Sequence, residues 1–255
     1  MYNDRQEQIL NLLNERGDIQ ISELKDVFPQ VSTMTLRRDL SLLENKGLLI
    51  RTHGGAVNIK KLSSVYGEED AYSSRAAENV ESKINIAHKA LGFLDNGRSI
   101  YLDSGSTIMC LAKLIPDDPF SILTSGINIA MELTKKTRIT IYTTGGQLNQ
   151  NSLSSSGPTS MSMLDFINVD IAFMAASGFS PENGFTVSNF FECELKKAVI
   201  KKAKKVIMLI DSSKFNKVLA FTFGQLSDMD IMICDKELSG SIMGKAREAG
   251  VQILL

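Results

Sequence analysis

Cysteine is scarce in this chain and histidine scarcer. The three cysteines, Cys110, Cys193 and Cys234, are odd in number, and no two stand in a CxxC spacing. That argues against a metal knuckle, a redox pair or a disulfide framework; they read as small buried hydrophobes of a reducing compartment. The two histidines, His53 and His88, are far apart, which argues against a histidine zinc site or a Ser-His-Asp triad. No metal and no cofactor is expected. No run of about 18 apolar residues occurs, and the opening MYNDRQEQIL holds no apolar leader. The expectation is a cytoplasmic protein without membrane contact. Net charge is small too, −1 over 255 residues. A uniformly basic coat is thereby excluded, but a local basic patch is not, because charge is felt within a Debye length of about 8 Å.

What is present is an ordinary globular composition, 43% apolar and 22% charged, with length for one large domain or a small one plus a medium one. Residues 4–15 place Ile9, Leu12 and Leu13 on one helical face. Gly17-Asp18 stops that helix, and Ile19 and Ile21 suit a short extended piece. Ser22 is a candidate N-cap for a helix over 23–28, closed by Pro29. Val31 plugs the turn, and Ser32 caps a third helix on which Leu36, Leu40 and Leu43 define the core face. Lys46-Gly47 ends it. A short apolar strand over 48–50 then leads into Arg51-Thr52-His53-Gly54-Gly55, a hairpin with charge at a glycine turn.

Helix, short turn, helix, with polar and basic residues opening the second, is the arrangement that sets a recognition helix into the major groove. The hairpin supplies a wing. Candidate DNA contacts are Ser32, Thr33, Thr35, Arg37, Arg38, Arg51, His53 and Gly54. Arginine forks onto guanine O6 and N7, and threonine touches a thymine methyl or a phosphate. Arg37 and Arg38 point about 100° apart, so one is expected to hold phosphate. Asp39 orients an arginine or pairs within the protein. Three amphipathic helices alone more often make a packing module. Placement favours DNA: between Arg37 and His53 the acids are only Asp39 and Glu44, against Arg37, Arg38, Lys46 and Arg51.

Residues 58–75 lose apolar period and read as a tether, with Lys60-Lys61 more simply solvated than bound to phosphate. This gives three parts: a winged helix-turn-helix over 1–57, a linker over 58–75 and an α/β domain over 76–255. In the last part apolar strands alternate with helices, at 100–102, 120–124, 139–142, 169–175, 206–210, 220–223, 231–234 and 251–254. That pattern predicts a mostly parallel sheet covered on both faces, with ligands at the strands' carboxyl ends. Those ends carry Asp103-Ser104-Gly105-Ser106-Thr107, Thr124-Ser125-Gly126, Thr143-Thr144-Gly145-Gly146 and Asp211-Ser212-Ser213-Lys214. The first runs straight into a helix, whose free N–H groups suit a phosphate, although helix capping explains its Ser and Thr equally well. Together the four ends suit a sugar-phosphate pocket. The six lysines among residues 196–205 read as a solvated helix face, and Met161 and Met163 as core filling.

Two stretches carry a family resemblance. Arg5-x3-Ile9-x3-Leu13, Ser32-x2-Thr35-Leu36-Arg37-Arg38-Asp39-Leu40 and Arg51-x-His53-Gly54-Gly55-Ala56 resemble the DeoR family of bacterial transcriptional repressors. Arg75 and Lys83 match its sensor's start. Asp103 to Thr107, Gly145-Gly146, Gly157, Gly184, Glu192-x3-Lys196 and Asp211-x2-Lys214-Phe215 match its sensor in order. Two departures stand out: a turn over 28–32 that is one residue longer than usual, and Ser82 where glutamate is common. The resemblance implies a sensor related to the ribose-5-phosphate isomerase fold. It implies a phosphorylated sugar effector held by Asp103, Ser104, Gly105, Ser106, Thr107, Thr124, Gly145, Gly146, Asp211 and Lys214, and adds Lys196. The expected protein is a non-enzymatic repressor of a sugar-metabolism operon, a homodimer or homotetramer on double-stranded operator DNA. The alternative is an isomerase-like enzyme with Asp103 or Glu192 as base.

Overall fold

The computed structural model describes residues 3–45, 48–58 and 69–255. The chain divides into two compact units, Met1–Gly67 and Glu68–Leu255. The helix stop at Lys46-Gly47 and most of the tether, with Lys60-Lys61, lie outside the described residues.

In the first unit, α1 (Asp4–Arg16) opens with Asn3, whose side chain accepts from the Gln6 N–H at 2.8 Å while Gln6 reaches back to the Asn3 N–H at 3.4 Å. Such reciprocal capping satisfies two orphan donors. After β1 (Asp18–Gln20), α2 (Ile21–Val27) starts earlier than the sequence suggests. Gln20, not Ser22, stands at its cap, because Glu23 accepts the Gln20 N–H at 2.6 Å and Gly54 accepts the Ile21 N–H at 2.8 Å. The helix closes just before Phe28-Pro29. Lys25 Nζ then donates to the Pro29 and Val31 carbonyls at 2.8 and 2.9 Å, fixing the turn. In α3 (Thr33–Asn45), Ser32 Oγ accepts the Thr35 N–H at 3.2 Å. Leu36, Leu40 and Leu43 are buried against Ile9, Leu13 and Leu24. Each such burial is worth about 2 kcal/mol.

Strands β2 (Ile50–Arg51) and β3 (Gly55–Val57) make the wing, and β1 adds to β3 in the order β1-β3-β2. Gly55 is where the wing crosses β1: a Cβ there would stand 1.9 Å from the Ile19 carbonyl oxygen. Only glycine permits that approach.

The second unit runs α4 (Tyr72–Ala77), α5 (Val80–Leu91), β4 (Ser99–Leu102), α6 (Ser106–Leu114), β5 (Ser121–Thr124), α7 (Ile127–Leu133), β6 (Thr140–Thr143), β7 (Gln147–Asn149), β8 (Ser154–Ser156), α8 (Pro158–Phe166), β9 (Ile171–Met174), β10 (Gly178–Ser180), β11 (Gly184–Val187), α9 (Phe190–Lys202), β12 (Lys205–Leu209), β13 (Phe221–Gly224), β14 (Ile231–Ile233), α10 (Gly240–Glu248) and β15 (Gln252–Leu254). Seven strands form one sheet in the order β15-β14-β12-β9-β4-β5-β6, every neighbouring pair parallel. Side chains alternate between faces. Ile100, Leu102, Phe173 and Ile207 pack under α5, α6 and α7, whereas Tyr101, Ala172, Met174 and Met208 pack under α8, α9 and α10. Both faces are covered, which is why the strands read as continuous apolar runs.

Two features depart from the sequence reading. Strand β13 does not extend the main sheet; it pairs with β11 in a small antiparallel sheet, β10-β11-β13. The serine-rich stretch over 152–162, for which the apolar pattern predicts no strand, contains β8 and the start of α8. Its hydroxyls are buried because they satisfy one another and Thr144: Ser152 with Ser154 at 2.7 Å, Ser155 with Thr144 at 3.1 Å. A reading based on apolar period has no signal for such a strand.

The strand order reverses between β4 and β9. Strands β4, β5 and β6 extend one way, and β9, β12, β14 and β15 the other. In a parallel sheet the loops diverge at that point and leave a crevice beyond the carboxyl ends.

Candidate functional site

The first candidate surface is the solvent side of α3. Ser32, Thr33, Met34, Arg37 and Arg38 are exposed, and Thr35 is half-buried with its hydroxyl 2.9 Å from that of Ser32. At 100° per residue, Met34 and Arg38 point roughly 150–170° from the buried leucines, and Arg37 about 90° from them. Met34 is 71% exposed, an apolar side chain on the first turn that sequence reasoning passed over; its exposure at a position flanked by threonines was the available signal. Asp39 faces the other way. It is buried, accepts from Arg5 Nε at 2.6 Å and from Gln6 Nε2 at 3.0 Å, and so staples α3 to α1. His53 and Gly54 are exposed at the wing. Arg51 is not free there: its guanidinium donates to Ser41 and lies 3.8 Å from Glu44, so it lies along α3.

The second candidate is a cavity in the crevice between β4 and β9. Ser104, Gly105, Ser106 and Thr107 line it after β4, and Ala175, Ala176 and Ser177 after β9. Glu192 and Lys196 enter from α9, Lys214 from the turn after β12, and Ser152, Glu69 and Arg75 close the rim. The space between them is about 20 Å³, room for little more than one water. Gly105 stands at the helix cap with φ 123°, a conformation suited to glycine, and offers no side chain to cap α6. The first N–H groups of that helix therefore face the crevice with the positive end of its dipole.

Charge behind this loop is arranged in depth. Lys196, 2% exposed, donates to Asp103 Oδ2 and to the Ala175 carbonyl at 3.0 Å, and lies 3.3 Å from Glu192 Oε1. Asp103 also accepts from the Ser104 and Ala175 N–H groups at 2.9 and 3.0 Å. Burial alone would pull the Lys196 ammonium down, but Asp103 and Glu192 hold it above its ordinary value. Burial pushes the Glu192 carboxyl up to about 7; Lys196 opposes the shift, and the negative charges of Glu69 and Asp103 reinforce it. Lys214 is half-buried; its N–H donates to the Asp211 carbonyl at 3.1 Å, but among the described residues its ammonium has no hydrogen-bond or ion-pair partner. Asp211 is buried with Oδ1 accepting from the Ser213 N–H at 3.0 Å, while its Oδ2 has no partner.

Of the sequence-predicted effector residues, Ser104, Gly105, Ser106, Thr107, Lys196 and Lys214 line the cavity. Asp103 lies behind it, bonded to Lys196. Thr124 is elsewhere, fully buried, its hydroxyl accepting from the Gly126 N–H at 3.0 Å. Gly145 and Gly146 are also outside the lining; they seat the turn after β6 on α8, where a Cβ on Gly146 would stand 2.3 Å from Ser160 Oγ. Glu69, Arg75, Ser152 and Ser177 were not picked out as site residues. Glu69 and Arg75 fell in the stretch read as tether. Of the other lysines, Lys197 and Lys201 are exposed on α9 as expected, but Lys202 is half-buried and donates to the Leu164 carbonyl, and Lys204 and Lys205, though exposed, lie past the end of the helix. Among the described residues no group of three or more metal-ligating side chains comes together, and no helix is long and apolar enough to cross a membrane.

Comparison with known proteins bears on both units. A DeoR-like helix-turn-helix domain profile matches residues 5–62, and a DeoR C terminal sensor domain profile matches residues 78–236. The chain is 34% identical over 250 residues to the uncharacterized HTH-type transcriptional regulator YulB of Bacillus subtilis, covering 98% of this chain and 95% of that one. It is 32% identical to the HTH-type transcriptional regulator GolR of Listeria innocua, covering 98% and 97%. It is 31% identical to the L-fucose operon activator of Haemophilus influenzae, covering 99% and 100%. Among solved structures, ribose 5-phosphate isomerase A of Methanocaldococcus jannaschii is similar at 20% identity and a TM-score of 0.42, covering 55% and 56%. The chain belongs to the DeoR family: it is a DNA-binding transcriptional regulator with a C-terminal sensor domain, not an enzyme.

Proposed function

We propose that this regulator represses a carbohydrate operon and that a phosphorylated sugar in the β4/β9 crevice sets its hold on the operator. The observation that carries the reading is the crevice itself. It joins an uncapped helix N-terminus at Gly105 to Lys214, whose ammonium has no partner among the described residues, at the point where the strand order reverses. Helix N–H groups with an ammonium are what a phosphate monoester requires. Asp211, the remaining predicted contact, is buried outside the cavity lining and is not assigned to the ligand. The likeness to the L-fucose operon activator supports a sugar operon, and that to the putative aga operon transcriptional repressor of Escherichia coli O157:H7, 29% identical over 253 residues, supports repression.

On the reader side, Arg38 and Met34 form the centre of the base-reading face, for guanine and a thymine methyl respectively, and Arg37 holds phosphate. Ser32, Thr33, Thr35, His53 and Gly54 supply backbone contacts, and Arg51 steadies α3. Half-sites on DNA call for a homodimer or homotetramer in the cytoplasm. A ligand changes operator occupancy only through unequal affinity for the gripping and released arrangements.

The experiment is a thermal-shift screen of phosphorylated sugars followed by band shifts on the promoter of the protein's own operon. A true effector at 100 times its Kd stabilises by about 2.7 kcal/mol and changes operator affinity. A screen without any hit, together with band shifts indifferent to every sugar phosphate, refutes the proposal.

A further inference from the structure

The rim of the cavity holds an acid where an anion is expected. Glu69 Oε1 accepts from Arg75 Nη1 at 2.9 Å and from Ser177 Oγ at 2.5 Å, and both side chains are over nine-tenths buried. The other terminal nitrogen of Arg75, Nη2, is buried without a partner. A guanidinium presents a fork of parallel donors that a phosphate engages in pairs, whereas this carboxylate engages one arm. Both residues lie in the stretch between the two profile matches.

We propose that Glu69 is a tethered competitor for the effector: its carboxylate occupies the Arg75 guanidinium, and a phosphorylated ligand binds by expelling it and engaging both arms of that guanidinium. The proposal rests on the crevice being the effector site.

Charge and space support it. Arg75, Lys196 and Lys214 face Glu69 and Glu192, with Asp103 bonded behind Lys196. With Glu192 ionised, three cations face three acids and leave nothing for a dianion to neutralise, and about 20 Å³ leaves it no room. Removing Glu69 takes away one of those negative charges and frees the volume its carboxylate fills.

The local bonds show which part moves. Arg75 is held from behind: its carbonyl accepts from the buried Lys83 ammonium, and its Nε donates to the Asp70 carbonyl at 2.9 Å. Glu69 is held by less. Its carbonyl accepts from Asn151 Nδ2 at 2.6 Å, and the Asn151 carbonyl accepts the Tyr72 N–H at 2.8 Å. Glu69 is the second residue of the sensor unit, so its expulsion moves the part of the sensor that continues into the chain leading to the reader.

The test is calorimetric titration of the intact protein with inorganic phosphate, in wild type, Glu69→Gln and Lys214→Ala. Hydrogen exchange of the Tyr72 amide, with and without phosphate, is followed in wild type. The expected result is about tenfold tighter phosphate binding in Glu69→Gln, weaker binding in Lys214→Ala, and faster Tyr72 exchange when phosphate is bound. Binding to Glu69→Gln no tighter than to wild type, with Lys214→Ala still weakened, overturns the competitor while leaving the crevice as the anion site. Slower Tyr72 exchange with phosphate also overturns it, because Glu69 would then stay seated. Failure of phosphate to bind any of the three proteins overturns the crevice reading, and this proposal with it.

Discussion

Lys196 and Asp103, 93 residues apart in sequence, are joined in a buried ion pair at the point where the sheet reverses its strand order. With the Ala175 carbonyl and N–H also bonded to the pair, it locks the end of β4 and the end of β9 to α9. Breaking such a pair from one side leaves an uncompensated buried charge and typically destabilises by about 3–5 kcal/mol. Lys196→Met and Asp103→Asn are each expected to lower the unfolding free energy obtained from urea titration by an amount in that range. The double variant is expected to lose less than the sum, because neither charge is then stranded. Wild-type stability in both single variants would return the two residues to the role of ligand contacts alone.

A second pairing governs the reader. Asp39 sits on the recognition helix but bonds to Arg5 and Gln6 of α1. Asp39→Ala leaves the buried Gln6 amide without an acceptor, a loss of about 1–3 kcal/mol. The expected signature is a lower melting point and weaker binding to operator and random DNA alike, since the helix loosens rather than losing a base contact. A loss confined to operator DNA at unchanged melting temperature would instead put Asp39 at the bases.

The two adjacent arginines separate by the same logic. Arg38, opposite the buried leucines with Met34, is expected to lose about 1–3 kcal/mol on operator DNA and little on random DNA when changed to alanine. Arg37→Ala is expected to weaken both equally and to reduce the salt dependence of log K by about 1. Binding titrations at several salt concentrations read both. The reverse assignment of salt slopes would exchange the two roles.

How much of this was open to sequence reading depended on the kind of signal each element leaves. The reader was legible because three short helices and a glycine hairpin each carry a local cap, stop or apolar period. Leu36, Leu40 and Leu43 fell in the core as spaced. The crevice loop was legible because Asp103 to Thr107 joins a strand to a helix with nothing between. Arg51 and Thr124 were visible as residue types, but their partners, Ser41 and the Gly126 N–H, are set by tertiary packing. Strand β8 was hidden because its three serines are buried without an apolar face, Ser154 bonding through its hydroxyl to Ser152 and Ser155 to Thr144. Glu69 was hidden, and Arg75 was marked only as the sensor's start, because a polar stretch between two units reads as tether until the fold brings Ser177, 108 residues away, against Glu69.

Glu192 gives the crevice a pH dependence whose sign can be worked out. Burial first, then the charges of Glu69 and Asp103, lift its carboxyl from 4.5 to about 7 against the pull of Lys196. A carboxyl raised in the fold contributes stability at acid pH, and that contribution is lost as pH climbs from about 4.5 through 7. Anion binding follows the same direction. Below 7 the group is neutral beside Arg75, Lys196 and Lys214; above 7 it repels an incoming anion. Phosphate is a poor probe because its own second ionisation falls near about pH 6–7, whereas sulfate remains a dianion. Sulfate is expected to bind about tenfold tighter at pH 6 than at pH 8.5, and Glu192→Gln to bind it with nearly constant affinity across that range. The variant is also expected to gain melting temperature relative to wild type as pH rises from 5 to 8, having no buried carboxylate to ionise. If the variant keeps the full pH dependence, the titrating group is not Glu192.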